Sequence, residues 1–122
     1  MKRSAVLLVL AAFAAVPAFA DCTYPKAPSA IPDGKVASLD EMVAANKAVK
    51  QYNVDIENYL GCIKTELDES LSRQNDTLSE DQKKAMNLLH AQKNNAAIDE
   101  LQSIAARLNE QIRIYKAAHP SK

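Results

Sequence analysis

The sequence predicts an all-α fold: a long antiparallel helical hairpin, coiled-coil-like, with an extended proline-rich N-terminal strap disulfide-bonded to helix 1. Three observations carry that expectation. Apolar residues recur at three- and four-residue steps over two stretches of about 35 residues each. Only one glycine lies beyond Gly34, a composition that favours long helices over turn-rich sheet. Two cysteines, Cys22 and Cys62, stand where a proline-rich leader can reach back along the first helix.

Residues 1–20 read as a secretory signal peptide. Lys2 and Arg3 form a short positive segment, Ala5 to Val16 an apolar core, and Ala18-Phe19-Ala20 the small residues that a signal peptidase reads. Cleavage is therefore expected between Ala20 and Asp21. The apolar core has twelve residues, short of the roughly 20 that cross a bilayer. Lipid attachment at Cys22 is disfavoured by its neighbours, since it needs cleavage directly before Cys22, with Asp21 where a small residue belongs. No later apolar run is long enough for a membrane span, so a mature chain in the periplasm or secreted is expected.

Residues 21–37 form the strap, with Pro25, Pro28 and Pro32. Two cysteines in an exported chain point to one disulfide, because that compartment is oxidising. Two reactive thiols or a metal pair are the alternative, but the cysteines lie 40 residues apart and neither belongs to a Cys-x-x-Cys. Cys62 is expected about 36 Å above Ser38 along the helix, and the 16 residues from Cys22 to Ser38 reach about 50 Å in a polyproline-like conformation. The strap is long enough, with slack. Tyr24, Pro25, Pro28, Ile31 and Pro32 then become an apolar cover for the helices, running past Ala44, Ala48 and Tyr59, and Asp33-Gly34 supplies the turn into helix 1. A strap left as a mobile linker is the competing reading.

The hairpin is expected over residues 38–118, with helices at about 38–72 and 79–118. Ser38 and Glu41 make a capping-box signature. Behind them Met42, Ala45, Val49, Tyr52, Ile56, Tyr59, Leu60, Ile63, Leu67 and Leu71 fall on one stripe. "SRQNDT", residues 72 to 77, breaks the pattern. Either Thr77 with Glu80 or Ser79 with Gln82 caps the second helix, whose stripe runs through Met86, Leu89, Ala97, Leu101, Ile104, Ala105, Leu108, Ile112 and Tyr115. His119-Pro120 ends it. The first helix leans acidic and the second slightly basic, a weak vote for side-by-side packing.

Charge excludes one class of function. Without Lys2 and Arg3 the mature chain has 13 basic and 15 acidic side chains, whereas nucleic-acid binding needs a clustered basic excess. Candidate chemistry is sparse. His90 falls near the second stripe and reads as an interfacial histidine, and His119 sits in the tail. No helical metal-ligand spacing occurs. Glu66, Asp68 and Glu69 read as a solvated acidic face, and Ser70, Ser72 and Ser103 have no histidine at local spacing. Asn94 projects onto the apolar stripe, where it either fixes register or leaves a wetter, weaker spot in the helix, and Gly61 gives either clearance for the strap or a bend. No catalytic residue, cofactor, metal or small-molecule substrate is expected.

The block "IPDGKVASLDEMVAANKAVKQYNVDIENYLGCI", residues 31 to 63, together with Cys22 and Pro25, resembles small secreted proteobacterial proteins of uncharacterised function. The resemblance implies export and the crosslink, and no activity. "LSEDQKKAMNLLH", residues 78 to 90, looks like the "L-T-x-x-Q" helix start of periplasmic stress chaperones of the Spy and CpxP kind, which carry two such motifs. This chain has one, with serine for threonine, and a capping box alone accounts for it. The expected function is therefore a non-enzymatic helical interaction or structural protein of the bacterial envelope, with a protein partner or self-association. The alternative is a chaperone-like binder of unfolded clients.

Overall fold

The computed structural model describes residues 21–120; the expected signal peptide lies outside the described residues. Two helices, α1 (Leu39–Arg73) and α2 (Glu80–Ala118), pack against one another. The strap precedes them, and a disulfide joins Cys22 to Cys62 with the two Cα atoms 5.7 Å apart.

Each helix starts where its capping chemistry dictates. The Ser38 side chain accepts the Glu41 backbone N–H, and the Glu41 carboxylate accepts the Ser38 N–H at 2.7 Å. That donation holds the Glu41 carboxyl below its ordinary range. For α2 the choice falls on Ser79, which accepts from the Gln82 N–H while Gln82 Oε1 accepts the Ser79 N–H at 2.8 Å. Thr77 instead closes the turn, its hydroxyl donating to the Gln74 carbonyl. At the other end His119 stacks on Tyr115 with ring centroids 4.2 Å apart, and its backbone N–H donates to the Tyr115 carbonyl.

The core is one cluster of Ala45, Val49, Tyr52, Ile56, Tyr59, Ile63, Ala97, Ile104 and Leu108, with Cys22, Ala27 and Ile31 of the strap packed against it. Two helices alone leave such a stripe half open, so the strap acts as its third wall. Pro25, Pro28 and Pro32 are half-buried there; their fixed φ lowers the chain entropy lost on laying the strap down. The path differs from the expected one. Ala44 and Ala48 stay exposed while Ala45 is buried, so the strap does not cover those two alanines, and a close backbone approach is made elsewhere.

That approach is made at Gly34, and to α2. A Cβ on Gly34 would lie 2.2 Å from the Gln111 carbonyl oxygen and 2.7 Å from the Tyr115 backbone nitrogen. Its φ is not positive. Glycine is needed here for closeness, not for an unusual backbone angle. The turn itself belongs to Asp33, whose side chain accepts the Lys35 N–H at 2.9 Å and whose carbonyl accepts from Val36 and Ala37. Gly61 is the opposite case. A Cβ there meets nothing within 4 Å, so it gives the strap no clearance, and the Thr65 hydroxyl donates back to its carbonyl at 3.0 Å. Gly61→Ala is expected to raise stability by about 1 kcal/mol through helix propensity, whereas Gly34→Ala should lower it by about 1–3 kcal/mol through overpacking. Urea unfolding of the two variants decides both signs; a shared sign defeats this assignment of roles.

Five ion pairs among the described residues (Lys64 with Asp68, Arg73 with Glu69, Lys83 with Glu80, Lys84 with Asp81, Arg113 with Glu110) are each made within one helix. They support local helix by a few tenths of a kcal/mol each, about 0.2–0.5, and leave apolar burial to hold the hairpin. Asn94 is half-buried and its side chain makes no hydrogen bond among the described residues, so it fixes no register through a polar partner there.

Candidate functional site

The seam between α1 and α2 is a single track with two different occupancies. Along its lower part runs the strap. Antiparallel helices present one row of side chains each to that face, Tyr59 and Cys62 from α1 and Glu100, Ile104 and Gln111 from α2. The strap engages both rows. Tyr24 sets its ring edge-on to Tyr59, with centroids 5.0 Å apart and planes at 73°, and its hydroxyl donates to Glu100 Oε2 at 2.5 Å. Gln111 Oε1 accepts the Gly34 backbone N–H at 2.8 Å. Cys22 supplies the covalent link to Cys62.

Tyr24 of the strap, Tyr52 of α1 and Glu100 of α2 form a polar cluster that spans the two helices and the strap. The Tyr52 side chain is 1% exposed. Its hydroxyl makes no hydrogen bond of good geometry, yet the Tyr24 and Glu100 oxygens lie near enough to act on it. Burial pushes both phenols above the ordinary tyrosine value, and for Tyr24 the bond to Glu100 adds to the rise. The protonated phenol is the form that donates. A folded-state value above the unfolded one contributes stability that is complete below about pH 10 and is lost as pH climbs beyond it. Urea midpoints are therefore expected to fall between pH 9 and 11 less steeply in Tyr24→Phe than in the parent; identical slopes exclude the phenol as the cause.

Beyond Cys22, toward the hairpin turn, no described residue of the strap covers the track. A groove of about 190 Å³ is lined there by Ile63, Glu66, Leu67, Ser70, Met86, Leu89, His90 and Lys93. Its floor is apolar, and Glu66 and Lys93 stand one on each helix. His90 is half-buried at this interface, and its Nε2 is buried without a partner among the described residues.

Compared with family models, with curated proteins and with solved structures, the chain matches none. The site must be read from its own chemistry.

Several residues singled out in the sequence meet here and others do not. Ser70 and His90 line the same groove, but no hydrogen bond joins them, so the nucleophile–base contact that acyl transfer needs is not formed. Asp68 and Glu69 are taken up by Lys64 and Arg73 on the outer surface, whereas Glu66 faces the groove. Among the described residues, no three His, Cys, Asp or Glu side chains gather as a metal site requires. No described helix is long and apolar enough to cross a membrane. Leu89, read as part of the core stripe, is 53% exposed. The contacts that sequence reasoning missed, Tyr24 to Glu100 and Gly34 to Gln111, span 76 and 77 residues, and no local pattern announces a pairing at that range.

Proposed function

We propose that the chain is a non-enzymatic helical interaction protein of the bacterial envelope, exported to the periplasm or beyond. One observation carries this reading: the strap covers the seam only as far as Cys22, and the hairpin continues past it with an open apolar groove. Burying apolar surface is worth about 25 cal/mol per Å². A concave apolar floor left open beside polar side chains offers a site where another molecule can bury surface. The disulfide supports an oxidising compartment. Leu39, Val43 and Leu88 add exposed apolar surface at 61%, 44% and 61%, which gives self-association a second route.

Crosslinking of the oxidised chain in envelope extracts, with sedimentation of the purified protein, tests the reading. A defined partner or a stable dimer is expected. A strict monomer that captures nothing ends it. Chaperone-like binding of unfolded clients is the second reading, favoured by the same open groove, and is recognised by saturable inhibition of client aggregation by the monomer.

A further inference from the structure

We infer that the groove at the hairpin turn holds a short extended segment of a second, different polypeptide, laid end to end with the chain's own strap; the inference rests on reading the chain as an interaction protein. The strap shows what this seam accommodates. It is an extended segment lying between the two helices, and it is held by side chains of the walls: Gln111 takes a backbone N–H, Glu100 a phenol, Tyr59 the edge of a ring.

The same two rows continue past the strap's end. Lys93 precedes Glu100 by seven residues, two helical turns on the same face of α2, and Glu66 follows Cys62 by four, one turn on α1. Both line the groove, and neither forms an ion pair among the described residues. One wall thus presents a donor and the other an acceptor, over a floor of Ile63, Leu67 and Met86.

That pairing selects the form of the occupant. An extended backbone brings unpaired N–H and C=O groups that Glu66 and Lys93 can engage, as Gln111 engages Gly34. A helix has already joined its own backbone groups internally and is about 10–12 Å wide with its side chains. The space, about 190 Å³, falls below the roughly 300–1,000 Å³ of pockets for small ligands and suits a few side chains of a peptide.

The test uses the oxidised protein purified from the periplasm and two fluorescent probes. One is an acetylated Leu-Ser-Leu-Ser-Leu peptide; the other is an Ala-rich amphipathic helix of roughly 25 residues, well past the roughly 12–15 at which isolated helices are marginal in water, with its leucines on one face. Anisotropy titrations are expected to show saturable binding of the extended probe, weakened about tenfold or more by Leu89→Glu, which puts a charge in the groove, and unchanged by Leu88→Glu on the neighbouring face. Both side chains are more than half exposed, so both variants should keep the far-ultraviolet circular dichroism of the parent. No saturable binding, equal weakening by the two variants, or preference for the helical probe overturns the inference. So does a dimer that Leu89→Glu alone dissociates, because the groove then belongs to a second copy. Capture of the same crosslinked partner by Leu89→Glu and the parent defeats the groove while leaving the interaction reading intact; capture of nothing by either defeats that reading itself.

Discussion

Replacing Cys22 and Cys62 together by serine is expected to lower the stability of the chain by about 4 kcal/mol. The figure follows from the chain entropy restored to the unfolded state when a closed loop of about 41 residues is opened. Native contacts should add to it, because Cys22 packs on the same cluster as Ile56 and Tyr59. The strap's remaining anchors are the Tyr24 bond to Glu100, the Tyr24 ring on Tyr59 and the Gly34 N–H on Gln111. Each hydrogen bond contributes about 0.5–1.5 kcal/mol net, too little to replace the tether. Helical circular dichroism should largely survive in the serine variant at low denaturant, while its urea midpoint falls steeply. A midpoint within about 0.5 kcal/mol of the parent, the range of an ordinary surface change, would mean that the crosslink is incidental.

Ile56→Ala is the second large effect, at about 2–5 kcal/mol. Ile56 is 0% exposed and sits in a cluster built from two helices and one strap. A three-walled core has no further layer to move in, so the space left by the lost side chain stays open. The loss therefore includes a cavity contribution beyond the transfer energy of the missing carbons. Leu88→Ala, at 61% exposure, is the matched control and should stay within about 0.5 kcal/mol. Thermal or urea unfolding of the pair decides the matter. Similar losses at both sites would place the core elsewhere. Because Cys22 and Ile56 share the cluster, their substitutions should not add.

Much of this architecture is legible in the sequence, for local reasons. Helix starts at Ser38 and Ser79 are set by hydroxyl and carboxylate or amide groups three residues apart, and burial of Met42, Val49, Tyr52 and Ile56 follows from 3.6-residue periodicity. The link between Cys22 and Cys62 follows from redox chemistry and reach. Lateral placement is another matter. Ala44 and Ala45 differ by 100° around the helix, and small size alone does not say which of them faces the seam. Gly34 reads as a turn residue because Asp-Gly usually is one, yet the limit it obeys comes from the backbone of α2 at Gln111 and Tyr115, far along the chain. The open groove is hidden for the same reason: Met86 and Leu89 belong to a stripe that the strap, anchored at Cys22, stops short of covering.

The position of the tether also orders events in time. Both thiols lie within the first 62 residues, whereas every partner of the strap on α2 follows Lys93. Under the export proposed above, front end first, the two sulfurs would cross before Glu100 and Gln111. In that order the covalent ring can close before α2 arrives, and α2 would then complete its packing against a template already closed.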